Sequence, residues 1–258
     1  MTTKIPPNLK KLAELTSNSD LKIDESILTQ PQQKPSPNHK TLNTYNQPPY
    51  LQPLPNSENP EHYIALPQQE ILISNKRFHF RKDWFQSHSL LNQISSAMPN
   101  LLAFWQRYFL LRDNKAENGL GKLILRDEQR RLFKELKNSK NWTAEWLDAD
   151  FKYNEQTKLY TLNTNHRTLN TKLTPLTSEP LETCLMENTK IDLSTLNSQA
   201  MPTTQGEDIY YGCLMPDNNS VAGFDAGSDR AGLDCFWDPR DSNSALGVRK
   251  IFSTGNRG

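Results

Sequence analysis

Cysteine is scarce in this chain, with three residues in 258: Cys184, Cys213 and Cys235. Their irregular spacing excludes a disulfide scaffold and a CxxC metal site. No apolar run reaches the 18 residues of a spanning helix, and residues 1–20 have no apolar core of a secretory signal. We therefore expect a soluble protein without a membrane span, made in a reducing compartment and either cytoplasmic or displayed by a non-classical route.

Glycine and proline are distributed unevenly. All 10 glycines lie in residues 119–258, whereas 11 of the 17 prolines lie in residues 1–75. Residues 1–66 are rich in Pro, Gln, Asn and Ser, and such a composition buries too little apolar surface to offset backbone entropy. They are predicted to be a disordered tail. Within it, the helical spacing of the leucines in residues 8–15 fits either a transient helical turn or a partner-binding motif.

The formal net charge of +1 conceals three different regions. Residues 1–75 contain 6 basic residues (Lys and Arg) and 7 acidic residues (Asp and Glu). Residues 76–140 contain 14 basic and 6 acidic residues, and residues 141–258 contain 10 basic and 16 acidic residues. The basic middle is compatible with contact to phosphate backbones. A solvated helix face explains its charges better, because Lys134 and Lys137 interleave with an apolar stripe, and nucleic-acid contact is kept as the alternative.

Apolar periodicity predicts the elements of the basic middle. Alternation over residues 69–81 indicates a short strand or hairpin. The period of residues 89–111 indicates two helices separated by Pro99, the first ending at Met98. Residues 67–118 are therefore predicted to be a mainly helical basic segment.

A third helix is predicted over residues 126–138, with Asp127 as its starting signal. A weak alternation predicts a strand over residues 153–162. The most regular pattern lies further on, in residues 219–251. One alternating set there is small and apolar: Ala222, Phe224, Ala226, Ala231, Leu233 and Cys235. This set predicts the buried face of two strands. The opposite set mixes Gly, Asp and Phe, which is unusual for a solvated strand face.

Three motifs close the chain: Asp229-Arg230-Ala231, Pro239 and Leu246-Gly247-Val248-Arg249. Together they resemble the C-terminal signature of the formylglycine-generating-enzyme type of C-type lectin fold. They are closer still to the targets of diversity-generating retroelements, in which fixed inward residues alternate with outward residues randomised by adenine-directed mutagenesis. The resemblance covers residues 120–252. Tyr210-Tyr211-Gly212 stands where the family has a Gly-Gly-Ser-Trp turn, and that motif is not intact here.

The resemblance implies an α+β chain in which residues 119–252 form a C-type-lectin-like domain with a variable region at residues 221–245. Carried over position by position, the ligand-binding, variable residues are Gly223, Asp225, Gly227, Arg230, Gly232, Asp234, Phe236, Trp237, Arg240, Asn243 and Ala245. The glycines are expected to leave concavities, and the aromatic and Arg side chains to anchor the ligand. The implied function is recognition of a protein or cell-surface ligand, without catalysis and without a cofactor.

Two other functions are compatible with the residues. One is association with nucleic acid through residues 76–140. The other is an enzyme of the formylglycine-generating type, which would need a cysteine pair. No Lys or His flanks Cys213 or Cys235 to lower its pKa, so small core residues describe these cysteines better.

No metal site is visible in the sequence. The HExxH, P-loop and GxGxxG motifs are absent, and the five histidines are scattered: His39, His62, His79, His88 and His166. Four acidic residues offer oxygen ligands for calcium, without the spacing of an EF-hand loop: Asp217, Asp225, Asp229 and Asp234. Solvated carboxylates explain these four better.

Overall fold

The computed structural model describes residues 51–169, 172–216 and 220–255, which form three α-helices and eleven β-strands. The helices are α1 (Trp84–Gln93), α2 (Leu101–Arg112) and α3 (Arg126–Lys137). The strands are β1 (Tyr63–Leu66), β2 (Ile71–Ser74), β3 (Thr143–Asn154), β4 (Leu159–Leu169), β5 (Lys172–Pro180), β6 (Thr189–Ile191), β7 (Ile209–Gly212), β8 (Ser220–Ala226), β9 (Ala231–Trp237), β10 (Leu246–Gly247) and β11 (Ile251–Ser253). The fold is therefore mixed α+β, as predicted. None of the described helices has the length and apolarity to cross a bilayer.

The strands form two sheets. The larger has the order β5-β4-β3-β8-β9-β7-β6, with β10 paired to β3, and the smaller has the order β1-β2-β11. Neighbouring strands are antiparallel except for two parallel pairs, β7 with β9 and β10 with β3. The parallel pairing of β7 with β9 joins two strands that are separated by about twenty residues in the chain.

The main hydrophobic core lies between one face of the large sheet and helices α2 and α3. Helix α2 begins after Pro99 because the side chain of Asn100 accepts a hydrogen bond from the backbone N–H of Ala103. Phe104 of this helix packs against Phe224 of β8, with ring centroids 4.4 Å apart. The predicted helical segment, residues 67–118, therefore shares one core with the C-terminal strands and is not a separate domain.

The opposite face of the sheet is covered by α1 over β3, β4 and part of β5, and by the end of the chain along the border of β3 with β8. Trp146 and Val221 pack there with Trp84 and Leu91 of α1 and with Leu246. Beyond this second cluster, towards β9 and β7, aromatic and acidic side chains lie on the same face, and several of them are exposed. The sheet thus offers one partly open face.

The predicted boundary between the disordered tail and the ordered part of the chain is wrong. The predicted disordered tail, residues 1–66, includes 16 residues that are ordered, among them strand β1 and the buried Leu51. These residues are ordered because β1 pairs with β2, which in turn pairs with β11 near the other end of the chain. That pairing is invisible to local composition. The predicted tail's leucine motif lies outside the described residues.

The helices differ from the prediction at their ends. The first helix begins five residues earlier than predicted because Asp83 caps it, and it ends at Gln93 because Ser95 takes a positive φ and Ala97 pairs with Ile251. Helix α3 has the predicted extent within one residue, but its cap is Leu125 and no side chain caps it. Asp127 lies in its first turn. The predicted strand at residues 153–162 is the turn of the β3–β4 hairpin with the adjoining strand ends.

Candidate ligand-binding surface

The predicted alternation in β8 and β9 is confirmed for its inward half. The strands pair antiparallel, with Phe224 opposite Leu233 and Asp225 opposite Gly232. All six residues of the predicted inward set belong to the main core, and each is at most 5% exposed. The opposite set therefore lies on the other side of the sheet.

We call this side the outer face. It comprises Tyr210 and Gly212 of β7, Gly223 and Asp225 of β8, Gly232, Asp234, Phe236 and Trp237 of β9, and Trp142, which precedes β3. The structure brings six of the eleven predicted site residues together here. Four of them, Gly223, Asp225, Gly232 and Asp234, are cross-strand neighbours of one another.

The predicted site residues differ in exposure. Four are exposed, namely Arg230, Phe236, Arg240 and Asn243, and three are half-buried, namely Asp234, Trp237 and Ala245. The remaining four are buried, namely Gly223, Asp225, Gly227 and Gly232. The expectation that all eleven are accessible is therefore wrong for these four, because larger side chains of the outer face lie over them.

The glycines of the outer face hold aromatic rings instead of leaving concavities. A Cβ added at Gly223 would lie 2.5 Å from a ring carbon of Trp237, and one added at Gly212 would collide with the ring of Phe236. Gly232 is less crowded, since its nearest contact would be Asp225 Oδ1 at 3.2 Å. The expected concavity at Gly223 is thus filled by the ring of Trp237, whereas Gly232 is bordered by Asp225 and Tyr210.

A β-bulge places two consecutive aromatic residues on the outer face. Val221 pairs with Trp237 and Gly223 with Asp234, so three residue steps on β9 oppose two on β8. The ring of Trp237 packs edge-on against Trp146 at 5.4 Å and its Nε1 donates a hydrogen bond to Asp234 Oδ2 at 3.2 Å. Trp237 is therefore fixed from two sides, while Phe236 is 42% exposed.

Two carboxylates are diagonal neighbours in the middle of the outer face. Asp225 is buried, and its Oδ2 accepts a hydrogen bond from Trp142 Nε1 at 2.8 Å and lies 3.9 Å from the guanidinium of Arg230. Its buried Oδ1 accepts no hydrogen bond from the described residues. Burial, together with the charge of Asp225, raises the pKa of Asp234 to about 6.

We predict that Asp234→Asn stabilises the protein at high pH. The pKa of Asp234 is higher in the folded chain than in the unfolded chain, so its contribution to stability is fully present below pH 4 and is lost as the pH rises through 6. Allowing for partial exposure to solvent, the variant should be about 1–2 kcal/mol more stable than the wild type at pH 8 and equal to it at pH 4.

Urea unfolding at the two pH values measures this difference. Asp241→Asn, an exposed loop change, is the matched control and should leave stability unchanged at both. If Asp234→Asn and the wild type are equally stable at pH 8, the ionised carboxylate of Asp234 does not destabilise the fold and the prediction is wrong.

A basic cavity of about 430 Å³ borders the outer face. Its cationic lining residues are Arg130, Lys134 and Lys137 of α3, Lys190 of β6 and Arg230 of the β8–β9 turn. They outnumber three acidic lining residues, Glu207, Asp208 and Asp229, and Lys190 pairs with Glu207 at 3.2 Å. The guanidinium of Arg230 also lies 5.8 Å from the centre of the Tyr210 ring, which is half-exposed. Arg230 therefore belongs to both the cavity and the border of the outer face.

The last predicted site residues contact a different part of the chain. Asn243 Oδ1 accepts hydrogen bonds from the backbone N–H groups of Ala245 and Leu246, and its backbone oxygen accepts one from Arg81. The backbone oxygen of Ala245 accepts one from Ala144. The Asn243 side chain thus holds its own loop, which explains its presence without a ligand.

Sequence reasoning missed Trp142 and Tyr210. Both are about as exposed as Phe236, at 44% and 42%. Tyr210 comes to the outer face through the parallel pairing of β7 with β9, and no local pattern signals such a pairing. Trp142 comes there at the start of β3, where its Nε1 donates a hydrogen bond to Asp225 Oδ2.

The acidic and histidine predictions change in the structure. Asp217 lies outside the described residues. The expectation of solvated carboxylates is wrong for Asp225, which is buried under Trp142, whereas Asp229 is exposed and Asp234 is half-buried. Among the described residues, one group of three His, Cys, Asp or Glu side chains lies close enough to share a metal ion, and it contains none of these acidic residues. The group is His88, Asp148 and His166, so two of the five histidines thought to be scattered come together.

The three cysteines are free thiols. Burial raises the pKa of Cys184 to about 11, and it also raises the pKa of Cys213 and of Cys235 above the ordinary value. All three are therefore neutral at physiological pH, and a neutral thiol is a poor nucleophile.

The outer face thus combines half-exposed aromatic rings, two adjacent carboxylates and the exposed Arg230 on a rigid sheet. This composition is typical of surfaces that bind other molecules. Comparison with protein-family models, with curated proteins and with solved structures gave no match for this chain.

Proposed function

We propose that this chain is a ligand-binding protein of C-type-lectin-like fold, that it recognises a protein or cell-surface ligand through the outer face without catalysis, and that the exposed positions of this face are diversified by a retroelement. The supports are the closing motifs of residues 229–249 and the geometry of β8 and β9.

The observation that carries the proposal is the unfavourable pair of carboxylates at the centre of the outer face. Asp234 has a raised pKa and Asp225 keeps a buried oxygen without a hydrogen bond from the described residues. Both features cost stability, and groups of this kind concentrate at binding sites, where a ligand satisfies them. A ligand that donates hydrogen bonds or carries positive charge would relieve both.

The aromatic residues around the carboxylates favour a protein ligand. Trp142, Tyr210 and Phe236 each expose about two-fifths of their surface beside Asp225 and Asp234. Aromatic side chains carry much of the binding energy of protein interfaces, and they also stack on guanidinium and ammonium groups. The ligand chemistry that fits best is a protein surface with an exposed Arg or Lys.

The sheet is suited to diversification because its two faces are energetically separate. Inward residues such as Phe224 and Leu233 form the core, whereas Arg230, Phe236 and Arg240 are exposed. Exposed side chains can change while the core remains intact. Gly223 is an exception among the proposed variable positions, because any side chain there would displace Trp237.

The neutral thiols support a non-catalytic role. A formylglycine-generating type of chemistry needs a reactive cysteine pair, and Cys235 is fully buried. Cys184 and Cys213 are half-buried, with pKa values raised in the direction opposite to activation.

Photo-crosslinking with the full chain tests the proposed surface. A photoreactive phenylalanine analogue placed at position 236 or 210 should capture the same partner from a detergent extract of cell surfaces. The matched position is 159, because Leu159 is exposed on β4, two strands away from β8. Capture at 159 should be absent.

The carboxylates provide the second arm of the experiment. Asp225→Asn combined with Asp234→Asn should reduce capture at position 236 at least about tenfold, because it removes the charge that a basic ligand contacts. Equal capture from positions 159 and 236, or unchanged capture by the double variant, would refute recognition through the outer face.

A second candidate is the binding of an anionic ligand such as nucleic acid, and the basic cavity favours it. The cavity collects five cationic side chains from α3, β6 and the β8–β9 turn. The basic excess of residues 76–140 is smaller at the surface than in the sequence, because Arg107 is buried and faces Glu145, which lies outside this segment.

Fluorescence anisotropy of a labelled single-stranded and a duplex oligonucleotide distinguishes the two functions. Nucleic-acid binding predicts an affinity that falls steeply with salt and that Lys134→Glu with Lys137→Glu reduces at least about tenfold. The matched control is Lys115→Glu with Lys122→Glu, which changes the same charge at exposed positions outside the cavity. Equal loss in both double variants would indicate nonspecific charge attraction only.

A further inference from the structure

A group of three metal-ligating side chains lies outside the outer face, where α1 crosses β3 and β4. His88 comes from α1, Asp148 from β3 and His166 from β4. Asp148 Oδ1 lies 2.6 Å from His166 Nδ1 and 3.6 Å from His88 Nε2. One carboxylate oxygen is therefore shared between two imidazole rings from different elements.

All three side chains are buried, with at most 2% exposure. His166 Nδ1 and its backbone N–H both contact Asp148. His88 differs, because neither of its ring nitrogens has a hydrogen-bond partner among the described residues. A fully buried imidazole without a partner is rare in folded proteins and calls for a bound group that the protein atoms do not supply.

The backbone is irregular next to two of these three side chains. The pairing of β3 with β8 is irregular between Trp146 and Asp150, which is where Asp148 stands, and Asn165 takes a positive φ beside His166. Trp84 closes the group from α1, with its ring 4.3 Å from that of His88 and 4.8 Å from that of His166. Its Nε1 donates a hydrogen bond to the backbone oxygen of Leu147.

We propose that His88 Nε2, Asp148 Oδ1 and His166 Nδ1 bind a zinc ion that fastens α1 to the sheet. Two imidazoles and a carboxylate are a donor set that zinc prefers, with a water molecule in the fourth position. Ligand atoms of a tetrahedral zinc site lie about 3.3 Å apart. The 3.6 Å separation is close to this value, and the 2.6 Å one widens once its hydrogen-bond proton leaves.

Zinc binding at His166 Nδ1 requires that the ring proton of this histidine be on Nε2. When zinc takes Nδ1 of His166, the remaining ring proton resides on Nε2, and Asp150 Oδ2 lies 3.9 Å from that atom. A carboxylate next to the outer nitrogen of a metal-bound histidine is a common arrangement, since it fixes the ring and its tautomer. Asp150 is thus a positioning residue and not a ligand.

Histidine NMR of the full wild-type chain is the first test, because it needs no variant. Zinc chloride added to the chelator-stripped, ¹⁵N-labelled protein should shift Nε2 of His88 and Nδ1 of His166, a combination of two different nitrogens. His62, which is exposed, should not respond. Binding that leaves the rings of His88 and His166 unshifted would overturn the proposal, as would failure to bind zinc.

Cobalt titration of variants is the second test, since Co²⁺ substitutes for zinc and absorbs visible light when tetrahedral. The wild type should take up one equivalent. His88→Gln should lower the affinity at least about 100-fold, and Asp150→Asn about 10-fold. His62→Gln is the matched control and should bind as the wild type does. Near-ultraviolet circular dichroism verifies that each variant is folded, and a folded His88→Gln protein with wild-type affinity would exclude the site.

Discussion

Replacing Glu145 with alanine is expected to lower the free energy of unfolding by about 3–5 kcal/mol. Glu145 of β3 is buried and forms ion pairs with two buried arginines. Its Oε2 lies 2.5 Å from Nε of Arg249, and its Oε1 lies 3.9 Å from Nη1 of Arg107. Without the carboxylate, two guanidinium groups would remain in the interior without a counter-charge.

The cost is large because the arginines cannot move into water. Arg107 on α2 is 1% exposed, and burial lowers its pKa to about 9, so it still carries its charge at neutral pH. Arg249 belongs to the closing motif Leu246-Gly247-Val248-Arg249, and its Nη1 also donates to the backbone oxygens of Ser74 and Asn75. Glu145 therefore joins a helix, the large sheet and the end of the chain.

Urea unfolding at pH 7 measures the loss. Glu128→Ala is the matched control, because Glu128 also pairs with an arginine, Arg131, but on the exposed surface of α3, where an ion pair contributes at most about 1 kcal/mol. Glu145→Gln keeps the size of the side chain and should fall between the two. A loss at Glu145 no larger than that at Glu128 would show that the buried cluster does not hold these elements together.

The second large effect is expected from Phe224→Ala, which should lower the free energy of unfolding by about 3–5 kcal/mol. Phe224 is 2% exposed on the inward face of β8, and its ring centroid lies 4.4 Å from that of Phe104 and 6.1 Å from that of Trp105. Alanine leaves a cavity that these rigid aromatic rings cannot fill.

Phe236→Ala on the neighbouring strand is the matched control. It removes the same atoms from a side chain that is 42% exposed on the outer face, so it should cost about 1 kcal/mol or less. Chemical denaturation of the two variants compares the two faces of the sheet directly. Similar losses would contradict the separation of a core face from a binding face.

Local signals in the sequence predicted a large part of the fold. Helix α3 is within one residue of its expected extent, and Pro99 separates two helices, because caps, prolines and apolar periods act over one or two turns. The inward residues of β8 and β9 were predicted individually from alternation alone. Residue patterns of this short range therefore suffice to predict these helices and the core positions of these two strands, whereas the α+β class was an implication of the family resemblance.

The features that escaped prediction depend on contacts between distant parts of the chain. The β-bulge at Val221 and Gly223 turns Trp237 over a glycine that was expected to be open. Strand β1 is held by the β1–β2–β11 sheet, by a bridge from Ile64 to Asn118 and by the main core. Register and strand order are set by tertiary packing, and local periodicity carries no record of them.

The composition of the outer face was predicted only in part, for the same reason. Asp225, Asp234 and Phe236 follow from the alternation, whereas Tyr210 and Trp142 reach the outer face through β7 and through the start of β3. The group formed by His88, Asp148 and His166 was missed because three separate elements bring it together.

The central claim is that the exposed positions of the predicted variable region, on the outer face and near it, are diversified for binding, and sequencing the genome that encodes this chain tests it most directly. The account predicts a second, near-identical copy of the segment that encodes residues 221–245, next to a reverse-transcriptase gene. The two copies should differ only where the second copy has adenine, and mainly in codons for exposed residues such as Arg230, Phe236 and Arg240. Codons for the inward Phe224 and Leu233 should be identical. Absence of such a copy, or differences spread equally over inward and outward codons, would contradict the account.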